Sequence, residues 1–460
     1  MLKRIASNAT ANMANGAIGA GFQLGMTAIV ARTGQANELA IWSLAASVAG
    51  FAPLLACNLA SAVARRLAGA ADEDRYNCVM QAGRSLSAAQ LWIAVALAAV
   101  VALGLPYAYA ELTAFSRWAS SATVATYLLG SCWIVASQPE VGALMASHRN
   151  WPIAIATFVA RSLALLTMAG TLALHQPIWL AVVMASLALW SGTLALRRQV
   201  AARAARVPTS TSQFRAERAD MANVVGGFAV WSLTSAVIQA LTVPIVAYFA
   251  PDQATAFFLA FTLVNIIVGA TAAATNALMA PLAQLLGNGA SSRAAKVATR
   301  ATGAVWLLTT TLLLCAYAFL DAIVGAWVGP AAVGLPPLHL YFALLALQHG
   351  IRSAGGVSSI LLAMGSRPSS IVRAPLPELA VAIGLALPLA ATLGARWFVF
   401  GLSVAGAIGV WWVARVASKE VLGASNAGAL TLLTRVGVLV ALSAAGWGLL
   451  AWLSWNGPAR

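Results

Sequence analysis

The stretch ANMANGAIG, Ala11 to Gly19, opens a long apolar segment, and ADMANVVGG, Ala219 to Gly227, opens another 208 residues later. Five positions match: Ala11/Ala219, Met13/Met221, Ala14/Ala222, Asn15/Asn223 and Gly19/Gly227. The segments downstream of the two copies are alike in character. NELAIWSLAASVAGFAPLLACNLASAVARRLAG succeeds the first and PDQATAFFLAFTLVNIIVGATAAATNALMAPLAQLLG the second. Each has an aromatic near its start, a middle of small residues and an Asn near its end, Asn58 and Asn276. Further on, ALMASHRNWP (143–152) and LLAMGSRPS (361–369) place Arg149 opposite Arg367 at an offset of 218, a drift that a modest insertion explains. The chain therefore reads as two copies of one unit.

The composition says what kind of unit. Of 460 residues, 61% are hydrophobic and 8% charged, against about 25% charged in a soluble domain. A helix needs about 20 apolar residues to span a bilayer. Thirteen such segments are expected, at about 13–31, 40–63, 86–107, 122–145, 153–174, 177–196, 223–248, 255–280, 303–326, 337–363, 375–394, 397–417 and 430–453. The joins near 175 and 395 are short enough to be tight hairpins. Lys3 and Arg4 precede the first segment, but no cleavage site leading into a soluble domain comes after it, so it reads as a span.

Charge fixes the orientation. With the N-terminus inside, 20 of the 27 Lys and Arg fall in inner loops, four outside (Arg32, Arg117, Arg396, Arg460) and three within spans (Arg161, Arg352, Arg435). That asymmetry follows the positive-inside rule and explains the net charge of +15 without a nucleic-acid partner. The loop at 197–222 carries Arg197, Arg198, Arg203, Arg206, Arg215 and Arg218 and is expected to lie against anionic lipid. An even number of spans per copy makes the repeats parallel. The expected fold is an all-α polytopic membrane protein with two parallel six-helix lobes around a central cleft, plus one extra C-terminal helix. The lobes are 1–196 and 223–417, the basic cytoplasmic linker is 197–222, and the additional helix and tail are 418–460. The expected location is a bacterial inner membrane, with the N-terminus cytoplasmic.

Function should be sought among polar groups at membrane depth, where an Arg costs about 2.5–3.5 kcal/mol on insertion scales. Arg161 lies in the middle of span five. His349 and Arg352 lie in span ten at i, i+3, a spacing that shares a helix face. Two readings of Arg161 stand side by side: an ion pair with Glu140 of the preceding span, or a place on a hydrated cavity wall facing an anionic group. The candidate cavity set is Arg161, Arg352, His349, Asn15, Asn223, Gln23 and Gln239, with Glu140 as a possible ion-pair or coupling residue. The carboxylates available for coupling to a cation are Glu140, Glu378 and Asp321. The four cysteines fit neither a disulfide framework nor a metal site. No phosphate loop, zinc-protease motif or His cluster is present, so an enzyme, a metal and a cofactor are not expected.

The openings of the two halves (SNATANMANGAIGAGFQLGMTAIVARTG, 7–34, and ERADMANVVGG, 217–227), the phrase at 38–69 and the flanking ALMASHRNWP and LLAMGSRP resemble the bacterial O-antigen and exopolysaccharide flippases of the multidrug/oligosaccharidyl-lipid/polysaccharide exporter superfamily. That resemblance implies alternating access and a lipid-linked oligosaccharide, on a polyprenyl pyrophosphate, as cargo. It also implies a cationic cavity and partners in polysaccharide assembly. The alternatives are a cation-coupled multidrug exporter of the same superfamily, a facilitator-type transporter and a non-transporting scaffold of a polysaccharide assembly complex. Against the drug exporter stands the lack of a carboxylate in the interior of span one or seven. Against the facilitator stands the loose fit of VARRLAGAADEDRYN (63–77) to that group's Gly-Asp-Arg loop.

Overall fold

The computed structural model describes the chain from residue 2 to 456, apart from 34–35, 69–72, 109–116, 148, 202–210, 236–237, 239, 277, 279–280, 283–284, 287, 330–331, 333–334, 336, 366–367 and 424–426. The described elements are helices, as hydrocarbon requires: backbone groups with no water nearby must bond within their own segment. In the first part of the chain these are α1 (Leu2–Thr33), α2 (Ala36–Ala49), α3 (Leu59–Ala68), α4 (Glu73–Ala108), α5 (Arg117–Ser131), α6 (Gln138–Ala146), α7 (Trp151–Ala173), α8 (Ile178–Leu189), α9 (Ser191–Ala201) and α10 (Thr211–Ser235). After α11 (Thr242–Phe249) come α12 (Ala254–Asn276), α13 (Ser291–Ala318), α14 (Leu338–Ser353), α15 (Gly356–Gly365), α16 (Leu376–Val381), α17 (Leu387–Leu393), α18 (Ala395–Ala417) and α19 (Ala427–Asn456).

Among the described residues, ten helical segments are long and apolar enough to cross a membrane. Each coincides with one of the thirteen expected spans. The other three expected spans fall on α1, on α10–α11 and on α14–α15. These are the segments that carry Asn15 and Gln23, Asn223, and His349 with Arg352. Polar residues lower their hydropathy, and breaks shorten two of them: α14 has 16 residues and α15 ten. The protein is thus an all-α polytopic membrane protein, with candidate site residues on these three segments and, as Arg161 and Glu140, on two of the ten.

Both short joins are hairpins. His175 takes a left-handed φ of 56° just after α7, and Pro177, with ψ 150°, stands before α8. A left-handed residue closing one helix and a proline opening the next leave no room for a longer loop. At the second join Gly394 has φ 93° and ψ 177°, a conformation open to glycine alone, and α17 and α18 meet there with no other residue between them.

The chain divides into two compact units, Met1–Pro244 and Ile245–Arg460. In the first, α7 packs on α8 and α1, α3 on α6, and α4 on α5 and α10. α1 and α7 run side by side in one direction: Trp151 Nε1 donates to Ser7 Oγ (3.1 Å), Asn150 Nδ2 to Asn12 Oδ1 (3.2 Å), and further along Gly19 faces Arg161 and Gly25 faces Leu165. In the second unit α14 is the central helix, buried from Leu340 to Ile351 between α12, α18 and α19. The additional C-terminal helix is an integral part of this unit. Trp447 and Val436 of α19 are buried, Trp306 Nε1 donates to Ser443 Oγ at 2.8 Å, and Trp455 packs edge-on against Trp397 with centroids 5.3 Å apart.

Candidate functional site

Polar groups gather at membrane depth in two places, one in each unit. In the first, Arg161 is ten residues into α7, about 15 Å along the axis from Trp151. A glycine makes room for it: a Cβ built on Gly19 would stand 2.5 Å from Arg161 Nη1. The guanidinium lies over the Phe22 ring, 5.6 Å from its centroid, in the arrangement that places a cation against an aromatic quadrupole. It is close enough to Tyr127 for the two to interact electrostatically. Tyr127 is itself buried against Trp42, with centroids 4.8 Å apart. Among the described residues Arg161 has neither a hydrogen bond nor an ion pair.

Glu140 does not neutralise it. The Glu140 carboxylate is fully buried and takes Arg84 instead, Nε and Nη2 each lying 3.0 Å from Oε1. The reason is packing: α6 lies against α3 and α4, so the carboxylate faces Arg84, 56 positions earlier in the chain. Arg84 keeps 45% of its side chain exposed, so it ties a sealed carboxylate to solvent.

The remaining first-unit candidates are distributed along α1 and α10. Asn15 is half-buried, and its Oδ1 is enclosed without a hydrogen-bond partner. Gln23 is half-buried one turn beyond Gly19, on the face that Gly19 presents. Asn223 is exposed. Gln239 lies outside the described residues.

In the second unit Arg352 is ion-paired with Glu378, through Nη2 and Oε1. The pair is 26 residues apart in sequence and joins α14 to α16. Its side chains keep 18% and 17% of their surface. α18 approaches through two glycines. A Cβ on Gly409 would meet Glu378 Cβ at 2.7 Å and Oε2 at 2.8 Å, and one on Gly406 would meet Arg352 Nε at 3.6 Å. That Nε is buried with no hydrogen-bond partner. His349, one turn earlier on α14, is 3% exposed. A π-helical segment, Ala382–Ala386, comes directly after α16. Sequence reading places Glu378 among coupling candidates without setting it apart, because no local spacing links it to Arg352. Gly19, Phe22, Gly406 and Gly409 carry no sequence signal beyond being small or aromatic in an apolar run.

Among the described residues no group of three or more His, Cys, Asp or Glu could hold a metal ion. The arrangement therefore offers an unpaired cation in one unit and a partly accessible ion pair in the other. Neither is an arrangement for making or breaking covalent bonds.

No protein-family profile matches the sequence, and no curated protein does. Solved structures do match in fold. A MATE crystallised in complex with MaL6 superposes with a TM-score of 0.65 at 15% identity, over 95% of this chain and 96% of that one. The outward-facing conformation of a multidrug resistance MATE family transporter of the MOP superfamily gives 0.63 at 13% identity, over 95% and 96%. A MOP superfamily transporter from Pyrococcus furiosus, described as having a binding pocket of reverse polarity that suggests a different function, gives 0.58 at 15%, over 95% and 96%.

These likenesses correct the expectation of a polysaccharide flippase with a lipid-linked oligosaccharide as cargo and polysaccharide-assembly proteins as partners. The chain superposes over 95% of its length on a MATE crystallised with MaL6 and on a multidrug resistance MATE family transporter. The error has a physical source. The phrases that suggested a flippase mark helix openings and close helix approach, which are requirements of the fold whatever its cargo. The chain has the fold of the MATE multidrug transporters.

Proposed function

We propose that the protein is a secondary-active exporter of small amphiphilic organic molecules, working by alternating access. What supports this most is the fold likeness to multidrug transporters along nearly the whole chain. Two compact helical units with polar groups at membrane depth suit such a cycle, in which units built as repeats move about a site near the midplane.

Within that reading Arg161 is the substrate contact of the first unit. A membrane-embedded charge is costly and is usually compensated by a partner, and here Phe22, Gly19 and Tyr127 surround the guanidinium without neutralising it. Its open fork suits an oxygen-rich anionic group, which it binds bidentately. The preferred cargo is accordingly an amphiphile with an aromatic body and a carboxylate, sulfonate or similar group. Half-buried Asn15 and Gln23 on the neighbouring helix supply neutral hydrogen bonds. Arg352 and His349 belong to the second unit and take no part in this contact.

The test is transport by the purified full chain in proteoliposomes, with two pH-insensitive dyes, the cationic rhodamine 6G and the anionic sulforhodamine B. Protein-dependent exchange is expected, faster for sulforhodamine B. Absence of exchange with either dye would overturn the transporter reading, and a preference for rhodamine 6G would overturn the role given to Arg161.

A further inference from the structure

Arg435 is the third arginine inside a span, and neither polar cluster described above uses it. It stands eight residues into α19, about 12 Å along the axis from Ala427. Its side chain is exposed and lies against α13. Gly303 of α13 makes room for it: a Cβ built there would run into the guanidinium, standing 2.8 Å from Cζ and 2.9 Å from Nε. Arg300 comes one helical turn before Gly303, so side chains from the two places reach the same group. Lys296 and Arg293 continue the row at spacings of four and three, which keeps it on one face of α13. All four cations are exposed, and among the described residues none of them has a hydrogen bond or an ion pair.

Acids do not balance this row. Among the described residues, the elements packed most closely on α13 and α19 carry two, Asp321 and Glu420. Asp321 is beyond the opposite end of α13 and lies 3.7 Å from His339. Glu420 accepts a hydrogen bond from Ser370 Oγ. The row also opposes its own helix. Arg293 and Lys296 stand in the first two turns of α13, where the helix dipole favours anions and repels cations. Past the cations the same faces turn apolar. Leu307 and Leu314 are exposed seven and fourteen residues beyond Arg300, and Val438 and Leu442 are exposed three and seven residues beyond Arg435. Seven residues are close to two helical turns, so these side chains prolong the face of each arginine. A ligand for this surface needs an anionic, oxygen-rich head and a long apolar body beside it.

We infer that Arg300 and Arg435, with Lys296 and Arg293 beside them, form a binding site for one anionic phospholipid, whose acyl chains lie along Leu307 and Leu442. The site is independent of the cargo assigned above. A guanidinium fork binds phosphodiester oxygens bidentately, and a phosphate between Arg300 and Arg435 cancels two charges that nothing else in the second unit cancels. The site lies at the end of α13 that loop charge predicts to be inner, where a lipid head meets the protein while its chains run along hydrocarbon-facing side chains. A zwitterionic head would bring its own ammonium against four cations, so an anionic head such as phosphatidylglycerol is preferred. A soluble anion would have nothing to set against the leucines. A lipid held here bridges α13 and α19, the helix that forms one wall of α14.

Native mass spectrometry of the delipidated full-length protein in detergent tests this, with phosphatidylglycerol and phosphatidylcholine of identical acyl chains added together. Wild type is expected to retain one phosphatidylglycerol per chain, about tenfold or more in preference to phosphatidylcholine. The double variant R300Q/R435Q should lose that preference. R197Q/R198Q, which removes two exposed arginines of the linker region, should keep it. Equal retention of the two lipids by wild type would overturn the inference. So would an equal loss in R197Q/R198Q, which would show attraction by general positive charge. Excess inorganic phosphate should not displace the lipid, and full displacement would make this a site for a free anion and overturn the lipid assignment. Should R300Q/R435Q fail to fold, R293Q/K296Q gives the same reading, because it removes charges that the helix dipole disfavours. It should melt no lower than wild type and bind phosphatidylglycerol several-fold more weakly, and undiminished binding would overturn the inference.

Discussion

Among single residues, Arg161 and its glycine make the sharpest predictions. Losing a charge-assisted contact of about 1.5–3 kcal/mol should slow R161Q transport of sulforhodamine B by about tenfold or more. The same change removes an unpaired charge from the membrane, so the melting temperature should hold or rise. A fall in melting temperature would mean that Arg161 is structural. Gly19→Ala acts on the same group from the other side. Its Cβ would meet the end of a flexible side chain, not backbone. The fold should survive, the guanidinium should shift, and dye transport should drop with unchanged thermal stability. Gly409→Ala is the contrasting case, because its Cβ would meet Glu378 close to the backbone, at 2.7 Å from Cβ. Overpacking of this kind costs about 1–3 kcal/mol, and a lowered melting temperature should report it.

Between helices, α10 is tied to the inner ends of α3 and α4 by a small charge cluster. Arg66 pairs with Glu217 and Asp220, and Arg75 pairs with Glu217 at 3.3 Å. Glu217 and Asp220 are three residues apart and share a face of α10. The side chains range from 14% to 58% exposed, so each contact is screened by salt. Exposed pairs contribute about 0.2–1 kcal/mol each. The double variant E217Q/D220N should therefore melt only slightly lower than wild type, with a difference that vanishes at high salt. The asymmetry of charge among the loops predicts that these residues lie on the inner side of the membrane. It could not announce that two acids of the basic linker region would take up two of its neighbours' arginines.

For the assembled protein, the C-terminal helix matters most. α14 is buried on nearly every side, and α19 supplies one wall. Helices in a membrane associate through close packing and hydrogen bonds instead of hydrophobic expulsion. The Trp306–Ser443 and Tyr317–Ser454 bonds and the Trp447 contact are of that kind. Deleting residues 424–460 should leave a chain that elutes as aggregate in size-exclusion chromatography, while a truncation confined to 457–460 should behave as wild type. The first outcome failing would mean that the second unit folds without its thirteenth span.

Membrane class and the positions of ten of the thirteen expected spans were legible from the order of residues. They come from apolar length, which is additive along the chain and needs no tertiary contact. Arg161, His349 and Arg352 were marked in the same way, because a polar residue inside an apolar run is conspicuous wherever it points. The cargo was misjudged, since helix-opening phrases encode how helices pack and carry no imprint of what passes between them. Partnership came only with folding. Arg352 and Glu378 meet across 26 residues, Glu140 turns to Arg84, and Arg161 is left facing Phe22 with no acid beside it. Which charges are cancelled and which stay open depends on helix rotation and crossing, and on glycines such as Gly19 and Gly409, which leave room for the Arg161 and Glu378 side chains of the facing helices.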